Sequence, residues 1–164
     1  MALSQEQINQ KNASQGVTAV LAKSSELNIR EAASSYDLDR VTELWANLTM
    51  IQQMRGNDHW LERSKNSGLN WNEYISKLFD SKGSKALVFE NEELIFGFAY
   101  MNLENINASK PALRQSLKAV IKEIYLEPSY RKNVDFDAMA ELLRQALKKL
   151  GINYFEIDVK DLML

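Results

Sequence analysis

Residues Ala119 to Val159 constrain the fold more than any other stretch of this chain. AVIKEIYL, Ala119 to Leu126, reads as a β-strand. Met139, Leu142, Leu143, Ala146, Leu147 and Leu150 then recur at helical spacing, and Gly151 supplies a stop. INYFEIDV, Ile152 to Val159, is a second β-rich run. It is apolar on both faces, as expected of a strand covered on both sides. A helix between two strands implies a parallel crossover, right-handed by default. The chain must therefore build a sheet with at least one helix packed on it.

Earlier segments add to that frame. LNIREA, Leu27 to Ala32, reads as a short strand. Ser34 and Asp37 have capping-box spacing, and Leu38, Val41, Leu44, Trp45, Leu48 and Ile51 mark an amphipathic helix reaching about Met54. The pattern breaks from Arg55 to Leu69, which reads as a loop holding at most one helical turn. Asn70 and Glu73 form a second capping box, opening a helix whose buried face carries Trp71, Tyr74, Ile75, Leu78 and Phe79. Ala86 to Leu103 reads as a hairpin about the polar stretch Glu90 to Glu93. Asn105 to Lys118 is a polar connection with a helical turn after Pro111. The order is β-α-α-β-β-β-α-β, a mixed sheet with helices packed on it. Residues 1–26, rich in Gln, Asn and Ser, read as a flexible tail, and residues 27–164 as one domain.

Composition excludes several chemistries. The 164 residues carry a net charge of −2 and a charged fraction of 26%, so nothing points to nucleic acid or an anionic membrane. No cysteine is present, which removes disulfides, thiol nucleophiles and Cys-ligated metals. One histidine and no calcium-loop pattern make a metal site unexpected. There is no membrane-length apolar run and no signal pattern. The expected location is the cytoplasm.

The segment EPSYRKNVDFD, Glu127 to Asp137, joins a strand to a helix, a common place to bind phosphate. Such loops usually carry glycine, which reaches positive φ cheaply and lets an anion approach the backbone. This one carries Val134, Asp135, Phe136 and Asp137 instead. Valine resists positive φ. Aspartates at a helix start cap the amides that a phosphate would use. A carboxylate about 5 Å from a phosphate charge costs roughly 3 kcal/mol at an effective dielectric near 20.

Four pieces of the sequence resemble the GNAT superfamily of N-acetyltransferases. They are IREAASSYDLDRVTELW for the first strand and helix, ALVFENEELIFGFAYM with Gly97 for the next two strands, IKEIYLEPSYR for the fourth strand, and AMAELLRQALKKLGINYFEIDV for the following helix and fifth strand. The resemblance implies a GNAT-like α/β (α+β) fold. The chain ends before the family's usual C-terminal helix and last two strands. It implies acetyl-CoA as cofactor. The pantetheine arm would lie along the backbone of Ile124, Tyr125 and Leu126. The pyrophosphate would meet the loop of Arg131, Lys132, Val134, Asp135 and Phe136. Val134 and Phe136 stand where the family has glycine, so weak or absent binding is expected.

The resemblance also implies a glutamate base on the fourth strand, and Glu123 is the candidate. Glu127 reads as a turn residue. His59 lies where the family often lines its acceptor pocket, and Trp60 is placed to join it. Tyr125, Tyr130 and Tyr154 are the tyrosines considered as proton donors. Arg144, Lys148 and Lys149 read as a solvated helix face. Two functions stand: an N-acetyltransferase with a degenerate coenzyme site, or a non-catalytic dimerisation, partner-binding or small-molecule-sensing module. The apolar fifth strand leads to an expected homodimer or protein partner at the C-terminal sheet edge.

Overall fold

A computed structural model describes residues 27–106, 109–110, 116–132 and 134–159. The expected N-terminal tail, the turn after Pro111 and the last five residues lie outside the described residues. The elements run β1 (Asn28–Glu31), α1 (Ser35–Met54), α2 (His59–Ser67), α3 (Trp71–Asp80), β2 (Ser84–Glu90), β3 (Ile95–Asn105), β4 (Leu117–Leu126), a short helical turn α4 (Pro128–Arg131), α5 (Phe136–Lys149) and β5 (Tyr154–Ile157). The five strands form one sheet in chain order. β1 to β4 are antiparallel neighbours, and β5 runs parallel to β4, as the crossover through α5 requires.

The sheet has a core on each face. On one, α5 buries Met139, Leu143, Ala146 and Leu147 against Leu87, Phe89, Ala99, Met101, Ile121, Ile124 and Leu126. On the other, α1, α2 and α3 bury Val41, Leu44, Trp45, Leu48, Trp60, Tyr74 and Ile75 against Val88, Phe98, Tyr100 and Tyr125. Trp45 is the centre of the second core. Its ring lies 4.9 Å from Trp60 and 4.8 Å from Tyr100, close enough for edge and tilted aromatic packing.

Both capping boxes form. Ser34 Oγ accepts from the Asp37 amide, and Asn70 Oδ1 from the Glu73 amide, with each acid reaching back to its cap. Asp37 also takes two hydrogen bonds from the Arg30 guanidinium, at 2.7 and 2.9 Å. The same guanidinium reaches Glu90 at 2.7 Å. One arginine thus ties β1 to the start of α1 and to the end of β2. These bonds hold the Asp37 carboxyl well below the usual carboxylate range.

Two expectations are corrected. The segment read as a loop from Arg55 to Leu69 holds the nine-residue helix α2, stopped by Gly68 in the left-handed conformation. Its exposed face is so polar that only Trp60 and Ser64 are buried, which removes the periodic apolar signal. The fifth strand is shorter than read, four residues instead of eight. Tyr154 is 58% and Ile157 36% exposed, and β5 is a sheet edge among the described residues.

Two predictions follow from this packing. Gly97 faces the end of β4, where an added Cβ would sit 2.6 Å from the Tyr125 carbonyl oxygen and 2.6 Å from a Leu126 methyl. The carbonyl cannot move without its strand, so Gly97→Ala should cost about 1–3 kcal/mol in urea denaturation. Asp37→Ala should cost about 2–3 kcal/mol at neutral pH, because a charge-assisted cap is lost. The Asp37 pKa is depressed in the folded state, so its contribution is present above the unfolded value near ~4 and is lost as pH falls below it. The gap between wild type and variant should therefore narrow in acid denaturation.

Candidate functional site

An irregularity in β4 sets the site. Tyr100 of β3 pairs with Glu123, yet the next residue, Met101, pairs with Ile121. Lys122 is the extra residue of a β-bulge. A bulge shifts the in–out alternation by one. Ala119 and Ile121 point to the α5 core before it, and Ile124 and Leu126 point there after it. Glu123 and Tyr125 are thereby turned to the face of α1, α2 and α3. Without the bulge, Glu123 would share the face of Ile121.

The turned carboxylate is buried, with 8% of Glu123 exposed. Trp60 Nε1 donates to Glu123 Oε1 at 2.7 Å, and Gln52 Nε2 lies 3.4–3.5 Å from both oxygens. Trp60 enters from α2 and Gln52 from the last turn of α1, so the helix missed in the sequence supplies the closest donor. A cavity of about 360 Å³ opens beside this carboxylate. His59, Trp60 and Arg63 of α2 line one side of it. Tyr100 and Asn102 of β3, with Lys122, Glu123 and Asp158, line the rest. The Arg63 guanidinium lies 5.5 Å from the Trp60 ring centre. Lys122 Nζ meets Asp158 Oδ2 at 2.6 Å.

The cavity borders the place where β4 and β5 part. Their pairing runs from Lys118–Tyr154 to Ile121–Ile157, followed by a hydrogen bond from the Asp158 amide to the Ile121 carbonyl. Beyond it, Glu123 to Leu126 pair with β3 only, among the described residues. Ile124, Tyr125 and Leu126, the residues expected to meet a coenzyme arm, are at most 2% exposed here.

The expected phosphate loop is built differently. Arg131 Nε donates to the Leu126 carbonyl at 2.8 Å, and its guanidinium lies across the Tyr125 ring at 5.4 Å. Lys132 is exposed. Val134 packs against the α5 core. Asp135 is the N-cap of α5, its Oδ1 accepting from the Asp137 amide at 3.1 Å, and Phe136 is 45% exposed. No non-glycine residue among those described takes positive φ. The loop follows a path that valine allows, and its own aspartate sits at the helix start.

The remaining candidates scatter. Glu127 accepts from Arg40 at 2.6 Å, an ion pair tying α1 to the end of β4. Tyr130 stacks on Phe96 with ring centres 4.4 Å apart. Tyr154 stands on the edge strand. Burial pushes the Tyr125 hydroxyl above its ordinary value. None of these three tyrosines lines the cavity, whose tyrosine is Tyr100. The solvated helix face holds an Arg144–Glu141 pair. Tyr100, Asn102, Arg63, Lys122 and Asp158 were not singled out in the sequence. Alternation along β3 places Tyr100 and Asn102 on one face, but nothing in the residues announces the bulge that brings Glu123 to them. Among the described residues no group of three or more His, Cys, Asp or Glu side chains is placed to hold a metal. No helix described is long and apolar enough to cross a membrane.

No family model and no curated protein matches the sequence. Solved structures do match the fold. An acetyltransferase from Vibrio fischeri shares 21% identity over 82% of this chain and 97% of its own, with a TM-score of 0.53. A possible acetyltransferase from Clostridium difficile 630 shares 17% over 82% and 80%, with a TM-score of 0.58. A predicted acetyltransferase from Clostridium acetobutylicum, solved with acetyl-CoA, shares 16% over 80% and 79%, with a TM-score of 0.52. The chain has the mixed α/β fold of the GNAT acetyltransferases.

The indole–carboxylate contact yields a prediction. Trp60→Phe keeps most of the ring packing but removes the donor to a buried carboxylate, and should destabilise the domain by about 1–3 kcal/mol. In a double-mutant cycle with Glu123→Gln, the coupling should exceed about 0.5 kcal/mol. Additive losses in denaturation would show that the contact carries no energy.

Proposed function

We propose that this domain transfers an acetyl group from acetyl-CoA to the amine of an acceptor seated in the cavity at Glu123. The observation that carries this reading is the bulge-turned carboxylate of Glu123, fixed by Trp60 at the edge of a polar cavity where β5 leaves β4. An amine arrives as an ammonium and must lose a proton before its nitrogen can attack. Glu123 takes that proton, directly or through one water. The Trp60 and Gln52 donors fix the direction in which its oxygens face. Tyr100 and Asn102 orient the acceptor from β3.

The coenzyme would supply the thioester-activated acetyl group. The flank of Ile124, Tyr125 and Leu126 pairs with β3 alone among the described residues, but it is buried and Arg131 holds the Leu126 carbonyl, so the arm could pair there only if Arg131 gives way. The helix half fits poorly, because Asp135 occupies the start of α5 and Val134 belongs to the core. Lys132 is left as the exposed cation of the loop. Acetyl-CoA binding is accordingly expected to be weak. A second reading follows from the same loop. A domain that has given up its phosphate site acts as a non-catalytic binding module, with the open β5 edge as the surface for a second copy or a protein partner.

Calorimetry with acetyl-CoA and thiol release over a panel of amines separate the two. Under the first reading, thiol is released with some amine, and Glu123→Gln lowers kcat about 10²-fold or more. An unchanged rate in that variant would remove Glu123 from the chemistry, and no turnover with any amine would favour the binding module. Asp135→Asn keeps a good N-cap while removing its charge, and should tighten acetyl-CoA binding. A dissociation constant for the wild type in the low micromolar range or below would show that the loop is no handicap.

A further inference from the structure

The end of β4 offers an outward carbonyl that the chain itself has taken. The Glu127 amide donates to the Phe96 carbonyl at 2.8 Å, which makes Glu127 and Phe96 a hydrogen-bonded pair. In an antiparallel ladder the next pair, Leu126 and Gly97, is then a non-bonded one, and Leu126 turns its N–H and C=O away from β3. That is the side where β5 no longer follows β4, among the described residues. There Arg131 Nε, at the end of α4, donates to the Leu126 carbonyl at 2.8 Å. We infer that the Arg131 side chain is an internal competitor for the pantetheine arm of acetyl-CoA. It holds the carbonyl that an amide of the arm would use. This inference rests on the coenzyme reading above and concerns the arm, not the phosphates.

The chemistry of the contact carries the argument. A ligand that adds to a strand edge offers an N–H to each outward carbonyl. The Arg131 Nε–H does the same from within the chain. Ile124, Tyr125 and Leu126 are at most 2% exposed with the side chain in place, so an arm and this guanidinium cannot share the flank.

The arginine is also incompletely satisfied where it sits. Its guanidinium lies 5.4 Å from the Tyr125 ring centre and donates to the Tyr125 hydroxyl. Its Nη2 is buried and meets no acceptor among the described residues. The carboxylate of Glu127 is held by Arg40 at 2.6 Å. A buried donor without an acceptor is costly, so leaving the flank returns that cost once water reaches the guanidinium. An arm that brings its own N–H keeps the Leu126 carbonyl bonded through the exchange. The contact is therefore firm without a ligand and replaceable by one.

The test splits the coenzyme into halves. Acetyl-pantetheine has the arm without phosphates, and adenosine 3′,5′-bisphosphate has phosphates without the arm. Calorimetry uses the full chain, with circular dichroism to confirm the fold of each variant. Arg131→Met keeps an unbranched stem and removes every donor, and it should bind acetyl-pantetheine about tenfold or more tightly than the wild type does. The adenosine half should gain nothing. Arg131→Gln keeps a donor at the reach of Nε and should gain less than Arg131→Met. In the wild type, nuclear magnetic resonance should find the Arg131 Nε proton protected from exchange in the free protein and unprotected at saturating acetyl-pantetheine. Equal gains in the two variants, a gain shared by the adenosine half, or protection that survives saturation would overturn the inference. Equal binding of the arm by all three proteins would discard the competitor and keep the coenzyme. Tightened binding in Arg131→Met with no thiol release from acetyl-CoA would keep the competitor and discard the transferase. Failure of both halves to bind any of the proteins would discard competitor and coenzyme together.

Discussion

The placement of Glu123 in this domain depends on one extra residue in β4. A strand alternates its side chains with a period of two, and a sheet with apolar cores on both faces cannot slip without burying the wrong set. Lys122 breaks the alternation once. The price in ladder bonding is local, and both cores keep their residues on either side of the break. The result is a carboxylate on the face crowded by α1 and α2, and a lysine directed at the point where β4 and β5 part.

The bulge alone would leave Glu123 buried among aromatic rings. Burying a carboxylate is costly unless donors come with it. Those donors come from two helices, Trp60 of α2 and Gln52 of α1. Trp60 has two roles. Its ring is part of the aromatic core around Trp45, and its N–H reaches the acid. Core packing and the orientation of the acid are therefore carried by one side chain.

Much of the fold was legible in the residues. The capping boxes at Ser34 and Asn70, the spacing of the α1 and α5 apolar faces, and the crossover from β4 through α5 to β5 all read directly. The helix α2 did not, because a short helix that buries little more than one large side chain leaves no periodic trace. The ends of β5 were misread because the apolar pattern runs on through Ile152 and Val159, beyond the four residues that form the strand. Of the site, Glu123, His59 and Trp60 were visible as candidates. Lys122, Arg63, Tyr100, Asn102 and Asp158 were not, since their meeting depends on a register shift and on a helix that no local pattern encodes. The Val134–Phe136 loop was readable in its chemistry. Its lack of positive φ follows from the same stiffness that made the substitution conspicuous.

The aspartate at the start of α5 has a consequence for how the domain relates to its surroundings. A helix that leaves its first amides to a bound phosphate is completed by its ligand, and its stability rises and falls with ligand concentration. Here Asp135 travels with the chain and takes the Asp137 amide itself. One of the first amides of α5 is thus satisfied from within the chain, whether or not an anion is present.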